Sequence, residues 1–312
     1  MRGAGLRRQL QRRGRRWRTR WRAFRMPAGA VWPAPPPSPT VAGLTPGQQQ
    51  RAVAEACRLA HAEPDGEVHC SVMQKSLGIR VRAADGAANW LKIAPKGGAR
   101  EQWARAGERA AQALDGVPQP AILRELEWPA DGAELHAFVY TLAPSPAAQR
   151  TPWISAPMPP VGDEWLTGLR RALDRTAAAP LSRWNVHPGP VARVVAQRFG
   201  RKAPYDVDEW RMAHGDLNWS NVTAPKLALL DWEFFGAAPR GYDAATLLLF
   251  TLSDPELYRR IEAALAEDLN SRSGLVSRLY VLARRLDKIE GGFRDPREHR
   301  PIEREAMRLL RL

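Results

Sequence analysis

Cysteine is scarce: the 312-residue chain has two, Cys57 and Cys70, and no C-x-x-C. That excludes a disulfide framework and a thiolate metal cluster, and leaves both thiols as small buried residues. Long apolar runs are missing as well. No stretch of eighteen or more apolar residues occurs, so no membrane span is expected. No apolar segment follows the N-terminal arginines, so no secretory signal is expected, and a reducing, cytoplasmic setting fits. Acidic residues are absent from residues 1–26, which hold eleven Arg and no Lys. The net charge is +14, but residues 27–312 carry only +3 of it. The basic character belongs to a tail, so it does not mark the body as a nucleic-acid binder.

Residues 1–44 are Arg-rich and then Pro-rich, with Pro33, Pro35, Pro36, Pro37 and Pro39. Like charge mixed with proline cannot bury enough apolar surface to fold alone. Three readings compete: a plain disordered tail, with the true start at Met26 or later; a nucleic-acid or anionic-membrane arm, since Trp17, Trp21 and Phe24 interleave with arginines; or a transit peptide. We adopt the first.

Structure is expected from Thr45, where a capping residue, Pro46 and Gln48 form a helix-start signature. Ala52, Val53, Ala56, Leu59 and Ala60 follow at helical spacing. Three strands are predicted over Val68–Gln74, Ile79–Ala83 and Asn89–Ala94. In the last, Lys92 points away from Leu91 and Ile93. A helix over Arg100–Leu114 carries Trp103, Ala106, Ala110 and Leu114 as its apolar stripe, and Glu101 and Glu108 on one face. Strands over Ala121–Leu126 and Ala133–Leu142 follow, then helices over Glu164–Ala178 and Pro190–Phe199. The C-terminal part reads as helices over Leu257–Leu269, Leu275–Ile289 and Ile302–Leu312.

The densest chemistry lies in Ala213–Phe250. His214-Gly215-Asp216 is followed by Asn218 and Asn221, an apolar strand-like L-A-L-L, and Asp231-Trp232-Glu233. Two carboxylates and a carboxamide around a hairpin are what magnesium-dependent phosphoryl transfer needs. One carboxylate orients the attacking hydroxyl, and the other acid with the amide holds metal against the phosphates. Asp243 opens the next helix as its N-cap. A zinc role for His214 is disfavoured, because no second His or Cys stands at ligand spacing.

H-G-D-L-N-W-S-N, L-L-D-W-E and Y-D-A-A-T-L-L, in that order, resemble the aminoglycoside phosphotransferase and choline kinase family, small-molecule relatives of protein kinases. The strong match covers about forty residues and weaker agreement extends from Val68 onward. The resemblance implies an α+β bilobal kinase-like fold: an antiparallel-sheet lobe over residues 45–143 and a helical catalytic and acceptor lobe over 144–312. It makes Asp216 the catalytic carboxylate, Asn221 and Asp231 the Mg²⁺ ligands, and His214 and Asp243 structural braces. It assigns Lys92 to the nucleotide's α and β phosphates and a helix glutamate to hold it, with the context favouring Glu108 over Glu101. It places the hinge at Tyr140–Ala143. The implied donor is ATP or GTP and the implied acceptor a small-molecule hydroxyl. Glu209, Asp163 and Glu164 hint at an acidic rim for a cationic acceptor. The chain departs from the family pattern in one respect: residues 69–76, before Lys92, contain no glycine. That departure motivates the alternative of a nucleotide-binding or regulatory protein on a decayed kinase fold. Glu233 is an accessory carboxylate to watch, expected to be solvated or salt-bridged.

Overall fold

The computed structural model describes residues 44–71, 74–130, 132–200, 202–292 and 298–311. The Arg-rich segment and the three readings of it lie outside the described residues. Leu44, assigned above to the tail, is buried against the first core.

Helix α1 (Pro46–Ala60) starts as its sequence requires. Gln48 N donates to Thr45 Oγ1 at 3.3 Å, and Thr45 N donates to Gln48 Oε1 at 2.8 Å. Strands β1 (Ala62–Pro64), β2 (His69–Cys70), β3 (Leu77–Ala83), β4 (Ala88–Pro95), β5 (Ile122–Ala130) and β6 (Ala133–Thr141) form one sheet. Its order is β1-β3-β4-β6-β5, with β2 also on β3, and every pairing is antiparallel. Leu91 and Ile93 of β4 are fully buried toward Ala52, Val53 and Ala56 of α1. Such burial contributes about 1.5–3 kcal/mol per side chain. Trp90 and Lys92 take the other face.

Strand β6 is buried on both faces. Leu135, Ala137 and Val139 join the α1 core, while His136, Phe138 and Tyr140 face the side of Lys92. Against that second face lies α2 (Ala99–Ala111). Its buried residues are Arg105, Gly107, Glu108 and Ala111, whereas Ala106 of the predicted apolar stripe is exposed. Ala110 and Leu114 of that stripe are partly buried against the larger core, but this helix also turns polar positions inward: Arg105 meets Glu127, and Glu101 lies 2.9 Å from His136.

A second, larger core joins α3 (Asp163–Ala177), α4 (Pro188–Phe199), α5 (Tyr242–Thr251), α6 (Pro255–Ala264), α7 (Ala266–Leu269), α8 (Arg272–Glu290) and α9 (His299–Leu309), with the β7 (Trp210–Ala213)–β8 (Gly236–Pro239) ribbon. All of Asp243–Thr251 in α5 is buried, as expected of a helix apolar on every side. The fold is α+β, with an antiparallel sheet followed by a helical region.

Several boundaries differ from expectation. The helix predicted over Leu257–Leu269 breaks at Leu265, after which α7 turns so that Asp268 meets Arg240. The Asp268 carbonyl also packs so close to α8 that a Cβ on Gly274 would fall 1.9 Å from it. The apolar Leu227–Leu230 is not a strand: it makes only a bridge, Val222 to Leu229, because its other side is taken by Pro118, whose carbonyl accepts from Leu229 N. Strand β6 ends at Thr141, so Leu142 is exposed and outside it. Among the described residues of the first predicted strand, His69–Cys70 alone pair. Cys57 is buried, but Cys70 is only half-buried.

Candidate functional site

Period-two alternation in β4 aims Lys92 at α2 and at the turn after Leu230. Its Nζ donates to Glu108 Oε1 at 2.7 Å and forms an ion pair with Asp231. Glu108 uses its other oxygen to accept from Trp232 N at 3.3 Å, so it ties the strand lysine to the D-W-E turn. Helix geometry alone left Glu101 and Glu108 level. In the structure Glu101 lies instead 2.8 Å from Arg105 and 2.9 Å from His136.

The H-G-D loop leaves β7 and is held from behind. Asp243 is the second residue of α5, whose N-cap is Gly241, so it does not cap that helix as expected. Its carboxylate accepts from His214 N at 2.7 Å and Gly215 N at 2.9 Å. Gly215 has φ +89°, and a Cβ there would fall 2.2 Å from Phe234 O; only glycine fits. His214 is fully buried. Its Nδ1 accepts from Asp216 N at 3.3 Å, which leaves Nε2 as the donor to Leu230 O at 2.8 Å. The imidazole thereby spans from Asp216 to the residue before Asp231. Its ring packs on Trp232, centroids 4.5 Å apart.

Asn221 Nδ2 donates to the Asp216 carbonyl at 2.9 Å and to its carboxylate at 3.3 Å. Asn218 also donates to the Asp216 carbonyl, at 2.9 Å. The seven residues named from the sequence are thus linked in one connected group. His187 is not part of it; it sits at the start of α4 and stacks on Trp184.

Charge is concentrated here. Burial, and then the like charges of Asp231 and Glu233, push the Asp216 carboxyl up to about 7. Burial and the Asp231 charge also raise Glu233. It is half-buried and makes no ion pair among the described residues, so of the two states expected of it the salt-bridged one is not seen. Burial works against the charge on Asp231, but Lys92 outweighs it and holds that carboxyl low.

The donor set fits a hard divalent cation. Asn221 spends its N–H on Asp216, leaving its carbonyl oxygen with only a long contact from Ser220 Oγ at 3.4 Å. Asp231 supplies carboxylate oxygen beside it. Among the described residues no group of three or more His, Cys, Asp or Glu could hold a metal by itself. An oxygen-only pair suits magnesium, which keeps waters and takes phosphate oxygens.

Sequence reasoning missed Arg183. From the loop before α4 it donates to Trp103 O of α2 at 2.6 Å and lies 4.0 Å over that indole ring. A long-range contact from an irregular loop leaves no periodic signal. It also gave Tyr140 no chemistry beyond the hinge; the side chain is buried in the field of Glu108 and Lys92. The acidic rim is not assembled: Glu209 pairs with Arg211 and Arg240, and Asp163 pairs with Arg260.

No protein-family model matches the sequence, and no curated protein matches it. Solved structures do. Amicoumacin kinase hAmiN, solved with AMP-PNP and Ca²⁺, superposes with a TM-score of 0.54 at 13% identity, over 84% of this chain and 92% of that one. The fold is that of the small-molecule phosphotransferases. Aminoglycoside phosphotransferase APH(4)-Ia gives 0.52 at 14% identity, over 80% and 92%. Choline kinase LicA from Streptococcus pneumoniae gives 0.51 at 12%, over 85% and 99%. At these identities the likeness establishes the fold alone. No helix among the described residues is long and apolar enough to cross a membrane.

Proposed function

We propose that this protein transfers the γ-phosphoryl group of ATP or GTP to a hydroxyl of a small molecule, with magnesium. One observation carries the reading. Lys92, Glu108 and Asp231 form one ion-paired set, Asn221 bonds to Asp216, and His214 bridges from Asp216 to the residue before Asp231. The fold neighbours support it: one is a kinase solved with AMP-PNP and Ca²⁺, another a phosphotransferase solved with AMP-PNP and hygromycin B.

Lys92, fixed by Glu108, would neutralise the nucleotide phosphates that displace part of its pairing with Asp231. Asp231 and Asn221 would hold magnesium, which when bound neutralises charge on the phosphates. Asp216 would orient the acceptor hydroxyl and take its proton as the oxygen–phosphorus bond forms and the bond to the leaving phosphate breaks. A carboxyl near 7 is matched to that duty at neutral pH. His214 and Asp243 hold the loop, so Asp216 stays in place.

The glycine-free stretch 69–76 favours a second reading, a nucleotide-binding protein without turnover. One experiment separates them: magnesium-dependent ADP or GDP release by the full chain against pooled hydroxyl acceptors, with Asp216→Asn as control. Acceptor-dependent release that vanishes in the variant supports transfer. Nucleotide binding with no release on any pool supports the second reading. No nucleotide binding would sink both.

A further inference from the structure

Strand β6 carries one polar group that the proposed chemistry does not use. Tyr140 is 8% exposed, and its hydroxyl is buried with no hydrogen-bond partner among the described residues. A buried hydroxyl without a partner is costly, and phenylalanine would fill the same space without that cost.

Sheet register and the helix above it place the phenol. Phe138 is the cross-strand partner of Lys92, and Tyr140 lies two residues further along β6 on the same face. Their rings are 5.7 Å apart. Tyr140 and Lys92 are therefore diagonal neighbours, a spacing that long side chains reach across. On its other side Tyr140 pairs with Ile122 of β5. Ile122 N donates to Gln112 Oε1 at 2.9 Å, and Gln112 Nε2 donates to Pro120 O at 3.3 Å. These bonds fix the end of α2 over this part of the sheet. Glu108 stands four residues before Gln112, one turn back, and bonds Lys92 at 2.7 Å. Tyr140 is thus bracketed under the last turn of α2, between the anchor of Glu108 on β4 and that of Gln112 on β5.

Glu108 has room for a further donor. A carboxylate offers about four acceptor positions. Lys92 Nζ takes one, and Trp232 N takes another at 3.3 Å. The approach of the phenol to Glu108 falls short of a hydrogen bond. Burial first, and then the charge of Glu108, pushes the phenol well above its usual range, so it keeps its proton and can donate. Lys92 divides its donors between Glu108 and Asp231. Phosphates that draw the ammonium from Asp231 pull on its bond to Glu108 too, and a second donor on that carboxylate resists the pull.

We infer that Tyr140 is a positioning residue: its hydroxyl donates to Glu108 when nucleotide phosphates engage Lys92, and so fixes the glutamate that fixes the lysine. This rests on the reading of Lys92 as the phosphate-binding residue of the proposed site. The plain alternative is that the phenol only fills space behind Lys92.

The test uses the full chain, with magnesium and either AMP-PNP or a non-hydrolysable GTP analogue, and compares wild type with Tyr140→Phe, Glu108→Gln and the double variant. Without nucleotide, Tyr140→Phe should unfold at the same temperature as wild type or higher, because it loses no bond. Its nucleotide Kd should nevertheless rise roughly ten-fold, as for a lost hydrogen bond to a charged group. In the Glu108→Gln background the same change should cost little more, since the two residues act as one unit. An unchanged Kd in Tyr140→Phe overturns the inference and leaves a space-filling ring. So does a loss that adds in full to that of Glu108→Gln, which would put the phenol on the nucleotide itself. A nucleotide-free chain destabilised by Tyr140→Phe also overturns it, since the hydroxyl would already be bonded. The titration needs no acceptor: a Tyr140-dependent Kd without transfer to any hydroxyl supports the inference while sinking the phosphotransfer reading. Failure of the wild type to bind either nucleotide overturns both.

Discussion

Arg183 reaches from the loop before α4 to Trp103 of α2, donating to its carbonyl at 2.6 Å and covering its indole at 4.0 Å. This contact fastens the helix that carries Glu108 to the part of the molecule that carries Asp216. Glu108 in turn holds Lys92. Arg183→Gln should therefore act at a distance. The cation–π contact and the charged hydrogen bond together are worth about 1–3 kcal/mol. Thermal unfolding should fall accordingly, and nucleotide affinity should weaken with it. An unchanged nucleotide Kd would show that α2 keeps its place without this tie.

Glu108 and Glu101 share a helix but not a task. Glu108 is bonded to Lys92 and Trp232 N, while Glu101 sits with Arg105 and His136. Losing a hydrogen bond to a charged group costs about 1.5–3 kcal/mol. Glu108→Gln should weaken nucleotide binding by roughly ten-fold or more, since each 1.4 kcal/mol is ten-fold. Glu101→Gln should leave it near wild type. Equal losses in the two variants, measured by titration with a non-hydrolysable nucleotide, would remove Glu108 from its role.

Asp216 ties stability to pH with a definite sign. Burial first, then Asp231 and Glu233, lift its carboxyl from 3.8 to about 7. Between those values the folded protein keeps a proton that the unfolded chain has lost. The stability this group contributes therefore falls as pH rises through that window. Relative to Asp216→Asn, the wild type should lose unfolding free energy from about pH 4 to pH 7. Turnover should run the other way, rising through neutral pH as the carboxylate ionises, and should drop roughly 10²- to 10⁴-fold in the variant. A stability difference that stays flat across the window would contradict the half-buried, carboxylate-crowded setting of Asp216.

What could be read from the chain depended on whether the signal was local. The helix start at Thr45 was legible because its capping partners are three residues apart. Lys92 was legible because strand alternation sets its face. The fold class followed from a motif whose members lie within forty residues. The buried face of α2 was not legible. Arg105 and Glu108 are buried by partners on β4 and β5, and an apolar count cannot see ion pairs. Asp243 was misread for a related reason. Its acceptors suit a helix cap, but the donors that reach them come from a loop some thirty residues earlier. The expected strand at Leu227–Leu230 failed because strand-forming residues need a neighbouring strand, and only one bridge is available.

Gly107 shows how closely the two halves meet. A Cβ at this position would lie 2.7 Å from Trp232 O and 2.9 Å from Glu233 O, both backbone atoms, and 2.7 Å from Arg183 NH1. A flexible arginine end can move, but two carbonyls of the D-W-E turn cannot yield without shifting Asp231. In a free helix alanine would be favoured over glycine by roughly 1 kcal/mol. Here Gly107→Ala should cost about 1–3 kcal/mol instead, as overpacking does. The damage should not stop at stability. Moving α2 outward draws Glu108 from Trp232 N and Lys92, so nucleotide binding should weaken more in Gly107→Ala than in a surface control such as Ala106→Gly. A Gly107→Ala protein that is more stable than wild type and binds nucleotide normally would mean that α2 does not pack on this turn in solution.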